Sequence, residues 1–101
     1  MINPEDVTHA KYPVDAIVFN NGTFSVVWGT WDRKRKMLGM RWNTSDPSNL
    51  SDVGYPKTFG HPVWFMIPEE LTVSIFKSLS ESGHTSKQAV KDVLAEVGQT
   101  T

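Results

Sequence analysis

Three of the four tryptophans and five of the ten lysine and arginine residues lie within residues 24–43. Indole rings stack on flat groups, and guanidinium groups bind anions through paired hydrogen bonds. If this stretch folds as a β-hairpin with Gly29 opposite Gly39, bare backbone separates Trp31 from Arg41. The pattern predicts a shallow site in which a flat group stacks on Trp31 and an anionic group meets Arg41.

The two glycines also have a purely structural interpretation. A glycine inside a strand often marks the close approach of another part of the protein. On this interpretation a large side chain, such as Tyr55 or Phe59, packs across the glycines and fills the space. Both interpretations remain open, and the candidate ligand-binding or partner-binding residues are Trp31, Arg41, Tyr55, Gly29 and Gly39.

The turn of the same hairpin carries four consecutive cations, Arg33-Lys34-Arg35-Lys36. Such a turn can contact phosphates while neighbouring tryptophans stack on unpaired bases. The formal net charge of the chain is −1, whereas a dedicated nucleic-acid-binding domain is usually basic. Single-stranded nucleic-acid binding through residues 33–36 is therefore an alternative that the charge balance does not favour.

The histidines are isolated in sequence, and none has a second ligand at the spacing of a metal site. Only His61, at the end of a long polar segment, is a candidate for catalysis, with Asp46 or Asp52 as the carboxylate of an acid–base pair. An ordinary loop histidine explains the same residues. We therefore assign no catalytic residue, metal or cofactor, and keep a small enzyme as a second alternative.

Composition points to one domain of 101 residues without cysteine. The lack of cysteine excludes disulfides and thiolate metal sites and favours a reducing compartment. No apolar run approaches the ~20 residues that span a bilayer, and the first residues do not resemble a signal peptide. We expect a cytoplasmic chain with no membrane segment.

The order of elements predicts an α+β fold. A short helix is expected over 3–10, a three-stranded meander over 14–42, a long loop over 44–61 and a fourth strand over 62–67. Two C-terminal helices, 68–82 and 86–97, should pack on one face of a four-stranded antiparallel sheet. The favoured strand order is 3-2-1-4, which puts the two least alternating strands in the interior. A simple meander is the alternative.

The helices can cover only one face of this sheet, although both faces carry apolar residues. The second face needs the loop 44–61, a second copy of the chain or a ligand to cover it. With many aromatic residues and no catalytic constellation, the sequence favours a non-enzymatic binding or interaction protein. Its partner would be a second copy, another protein or a small molecule.

Overall fold

A computed structural model describes residues 2–46, 48–49 and 51–97 and confirms the α+β prediction, with a four-stranded antiparallel sheet and helices. Pro47 and Leu50, within the predicted loop 44–61, lie outside the described residues. The strands of the sheet are β1 (Val14–Asn20), β2 (Phe24–Trp31), β3 (Arg35–Trp42) and β6 (Phe65–Ile67). A separate hairpin comprises β4 (Lys57–Thr58) and β5 (His61–Pro62). The helices are α1 (Thr72–Leu79) and α2 (Lys87–Glu96), and 3-10 turns span Pro4–Asp6 and Glu69–Leu71.

The strand order is β1-β2-β3-β6, a meander, so the favoured order 3-2-1-4 is wrong. The outer edge of β1 is occupied by the segment before α2, where the Ser86 amide donates to the Val18 carbonyl at 2.7 Å. The apolar run over 62–67 contributes to both cores although its strand lies at the edge of the sheet, and Phe65 within it is exposed. Ile67 packs beneath the helices and Trp64 belongs to the core on the opposite face.

The register of the β2–β3 hairpin differs by two residues from the predicted one. Val27 lies opposite Gly39, and Gly29 lies opposite Met37. Asp32 and Arg33 adopt positive φ angles of 50° and 60°, which closes the turn within three residues instead of five. Because the shift is an even number of residues, every side chain stays on its predicted face.

The core beneath the helices is formed by one face of the sheet and by both helices. The Ser86 hydroxyl begins α2 by accepting a hydrogen bond from the Ala89 amide at 3.2 Å. The predicted helix over 68–82 is shorter than expected, because its first residues form a 3-10 turn and α1 ends at Leu79. The buried residues of this core are Val18, Val26, Trp28, Leu38, Ile67, Phe76, Ala89 and Val93.

The second face of the sheet is covered mainly by the N-terminal segment, which was not among the expected covers. The Pro13 carbonyl accepts from the Thr30 amide at 3.2 Å, and the Lys11 carbonyl accepts from the Asp32 amide at 2.7 Å. This pairing extends the β1–β2 contact and places Tyr12 on the sheet. The buried residues of this second core are Val7, Tyr12, Val27 and Trp64.

The helix predicted over 3–10 is replaced by the single 3-10 turn Pro4–Asp6. Asn3, at its start, makes no side-chain capping hydrogen bond, and the backbone is extended again at Val7. Among the described helices, none has the length and apolar character needed to cross a membrane.

Candidate functional site

The ring of Tyr12 fills the space above the two glycines. A Cβ atom at Gly29 would lie 2.8 Å from Tyr12 Cζ, and a Cβ atom at Gly39 would lie 3.0 Å from Tyr12 Cε2. The Tyr12 hydroxyl donates a hydrogen bond to the Met37 carbonyl at 2.7 Å, and burial raises its pKa. The structure therefore has the close packing of the structural interpretation, with Tyr12 in place of Tyr55 or Phe59.

Arg41 lies on the same face, but it is 1% exposed and turned toward the loop before β6. Nε donates to the Val63 carbonyl at 3.1 Å, and Nη2 donates to the carbonyls of Val53 at 2.5 Å and Pro56 at 3.3 Å. Burial lowers the pKa of the guanidinium group. These bonds fasten the loop to β3, and the two carbonyls that Nη2 contacts lie on either side of Tyr55.

Trp31 is half-buried at the opposite end of β2 from the loop that Arg41 holds. Its ring stacks against His9 with 6.1 Å between centroids and packs against the core formed by Tyr12 and Trp64. The neighbouring cavity has a volume of about 180 Å³, and Met66 contributes to its wall. The predicted site extends across the backbone of Gly29 and Gly39, and Tyr12 covers this backbone. The structure therefore does not join the Trp31 ring and the Arg41 guanidinium in one open site.

The basic turn is exposed, and acidic side chains lie near two of its four cations. Lys36 Nζ lies 2.8 Å from Asp15 Oδ2 and 3.6 Å from Glu96 Oε2, and the hydrogen bond that Lys36 donates to Asp15 raises the Lys36 pKa. Lys34 Nζ lies 3.8 Å from Asp32 Oδ2. These ion pairs reduce the charge that the turn can offer to phosphates, and nucleic-acid binding stays an alternative.

The acid–base pair considered for His61 is not assembled. His61 is exposed on β5, and no hydrogen bond joins it to Asp46 or Asp52 in the described residues. The Asp52 carboxylate accepts from the amides of Gly54 at 2.8 Å and Ser45 at 2.7 Å, and these bonds hold its pKa well below the usual range. Asp52 therefore orders the loop as a carboxylate. No group of three or more histidine or acidic side chains converges within the described chain.

A cluster of exposed aromatic side chains lies on the helix-bearing face of the sheet. Trp42, Tyr55 and Phe65 are 49%, 61% and 62% exposed. Tyr55 lies opposite Trp42 through two mutual backbone hydrogen bonds of 2.7 and 3.1 Å, and Phe65 lies opposite Met40. Opposed residues of antiparallel segments project on the same face, so these side chains share the helix-bearing side of the sheet.

Phe24 completes this surface from β2, because it lies opposite Trp42 with an edge-to-face contact of 4.8 Å between ring centroids. We call the surface the aromatic face; it consists of Phe24, Met40, Trp42, Tyr55 and Phe65. The residues occupy neighbouring positions on four segments, namely β2, β3, the loop at Tyr55 and β6, and Phe24 and Met40 also pack partly against the core beneath the helices. None of them is charged.

Sequence reasoning placed Met40 and Trp42 on the core side of the sheet; Met40 packs partly against that core, but the exposure of Trp42 was missed. The structural cause is element length, because the helices are shorter than those predicted over 68–82 and 86–97. A helix of eight residues is about 12 Å long, whereas a strand of eight residues spans about 26 Å. α1 and α2 have 8 and 10 residues and β2 and β3 have 8 each, so the helices leave part of the sheet uncovered.

Comparisons of the chain with protein-family models, with curated protein sequences and with solved structures find no match.

Proposed function

We propose that this chain is a non-enzymatic interaction protein that docks a protein surface on the aromatic face. The observation that carries the proposal is the adjacency of Trp42, Tyr55 and Phe65, each about half exposed or more. Aromatic side chains present ~150–250 Å² each, so these rings leave roughly 300 Å² of ring surface in water. Contiguous apolar patches of this size on a soluble protein are often functional.

The composition of the aromatic face matches that of protein interfaces. Tryptophan and tyrosine are enriched among residues that dominate binding energy, and charged residues are depleted at interface centres. Small molecules are usually held in concave pockets, whereas this surface is a row of rings across strands. A protein partner, either a second copy or another protein, is therefore favoured over a small molecule.

Two of the residues predicted from sequence contribute to this surface in different ways. Tyr55 belongs to it directly. Arg41 is a positioning residue, because it binds the carbonyls of Val53 and Pro56 and so fixes the segment that presents Tyr55. The proposal keeps the cytoplasmic location expected for a chain without cysteine.

The test is affinity capture with matched variants of the full chain. Trp42→Ser and Phe65→Ser each remove one ring from the aromatic face, and Phe59→Ser removes a ring that is 98% exposed on the β4–β5 turn. We expect wild type and Phe59→Ser to retain a specific protein. This protein is either an untagged copy of the chain or another protein. Retention should fall about tenfold or more with either face variant, which corresponds to at least ~1.4 kcal/mol of binding free energy.

Thermal denaturation of each variant provides the control for folding. If every retained protein binds wild type, Trp42→Ser and Phe65→Ser equally, the aromatic face is not the docking surface. If Phe59→Ser alone abolishes retention, the β4–β5 turn is the docking surface and the proposal is wrong.

A further inference from the structure

We propose that the protein partner is a second copy of the chain, which pairs its β6 strand with β6 at the sheet edge around a two-fold axis at Met66. The inference rests on the proposed function through Phe65, the residue of the aromatic face that lies beside this axis, and it adds the identity of the partner and the mode of docking. In the resulting dimer the two four-stranded sheets would join into one continuous sheet, with both aromatic faces on the same side.

The backbone pattern shows which groups β6 presents at its outer edge. The Trp42 amide and carbonyl both bond Tyr55, so they point away from β2. Backbone direction alternates along a strand, so Met40 and Leu38 point the same way and exchange hydrogen bonds with Phe65 and Ile67. The amide and carbonyl of Met66 consequently point outward. In the part of the chain that the structure describes, no backbone hydrogen bond reaches Met66 from outside the sheet.

A residue whose backbone amide and carbonyl both point outward can pair with the same residue of a second copy across a two-fold axis. Met66 would donate its amide to the carbonyl of Met66 of the partner subunit and accept the reciprocal bond. An interface of this type is isologous, because the same surface is used by both copies. A residue next to the axis, Phe65, would face Ile67 of the partner subunit on the helix-bearing side.

The charges at the two ends of β6 are complementary in this arrangement. Glu69 and Glu70 follow the strand and are exposed, whereas Lys57 and His61 lie on the preceding hairpin and are exposed as well. Antiparallel pairing brings the acidic end of each copy toward the basic end of the other.

The available area predicts a weak dimer. Of the exposed rings only Phe65 lies beside the axis and offers roughly 100 Å² per chain, whereas a standard interface buries about 800 Å² per partner. The β6 edge and the adjoining hairpin must supply the remainder, and interfaces at the small end of the range are usually transient. We expect a dissociation constant on the order of 10 µM.

Sedimentation equilibrium of the full chain from about 1 µM to about 1 mM tests the inference. Wild type and Phe59→Ser should form a reversible dimer. Met66→Pro removes the outward amide without removing a bond between β6 and β3, so it should weaken the dimer about tenfold or more. Phe65→Ser should weaken it as well, because it removes a ring beside the axis.

Hydrogen exchange at the Met66 amide, measured on wild type by NMR, gives a readout that does not depend on how the proline variant folds. Exchange at this amide should slow as protein concentration rises through the dissociation constant. A chain that stays monomeric at about 1 mM overturns the inference. So does a dimer in which exchange at Met66 is independent of concentration. A monomer that still captures another protein through Trp42 would leave the proposed function intact.

Discussion

Replacing Gly29 by alanine tests the packing of Tyr12 on the sheet. The added Cβ would lie 2.7 Å from the Pro13 carbonyl oxygen and 2.8 Å from Tyr12 Cζ. A side chain can rotate away from such a contact, but the Pro13 carbonyl is backbone and also accepts the Thr30 amide at 3.2 Å. The N-terminal segment must therefore shift as a unit.

The expected loss of stability follows from three terms. Overpacking by one methyl group typically costs about 1–3 kcal/mol. Weakening the Thr30–Pro13 hydrogen bond adds about 0.5–1.5 kcal/mol. Alanine also restricts the unfolded chain, which returns about 0.4–1 kcal/mol. The variant Gly29→Ala should lower the free energy of unfolding by roughly 2 kcal/mol.

Urea unfolding followed by tryptophan fluorescence measures this change, with Gly83→Ala as the matched control. A Cβ at Gly83 would meet no atom within 4 Å, so this variant should be neutral or slightly more stable than wild type. If Gly29→Ala unfolds within about 0.5 kcal/mol of wild type, Tyr12 does not pack on the sheet as described.

Three further changes probe the site residues. Arg41→Met leaves the carbonyls of Val53 and Val63 without the guanidinium, while the Pro56 carbonyl keeps the Val63 amide. The variant should lower the free energy of unfolding in urea by about 2–4 kcal/mol; an unchanged urea midpoint would contradict this role. The depressed pKa of Asp52 stabilises the fold above the unfolded pKa of about 4, and this stabilisation is lost as pH falls. The melting temperature of Asp52→Asn should therefore fall less than that of wild type between neutral and acidic pH, and equal falls would refute the linkage. Trp31→Ala removes a half-buried ring from the second core and should cost about 1–3 kcal/mol in the same urea assay; a variant as stable as wild type would show that Trp31 is not packed there.

The sequence predicts the faces of β2 and β3 correctly because side-chain alternation is unaffected by a shift of two residues. It does not predict their register, which depends on positive φ angles at Asp32 and Arg33. Residues other than glycine seldom adopt such angles, so a longer turn was the natural expectation. Conformational preference at individual residues thus limits what periodicity can establish.

Tyr12 and Arg41 were misplaced for a different reason. Tyr12 precedes a proline, a pattern typical of the end of an element, and its position over the glycines follows from pairing between residues 11–13 and β2. Arginine is almost never fully buried, so Arg41 was expected to be accessible. Its burial is tolerated because loop carbonyls distant in sequence accept its hydrogen bonds.

The position of Tyr12 gives the N-terminal segment the character of a tethered ligand. A molecule with a flat ring that bound above Gly29 and Gly39 would have to displace a ring already attached to the same chain. A short tether holds such an occupant at an effective concentration in the millimolar range. A free molecule of similar affinity must therefore exceed this concentration before it displaces Tyr12 from the sheet. Detaching residues 2–13 and supplying them as a separate peptide would turn this internal contact into a measurable binding equilibrium.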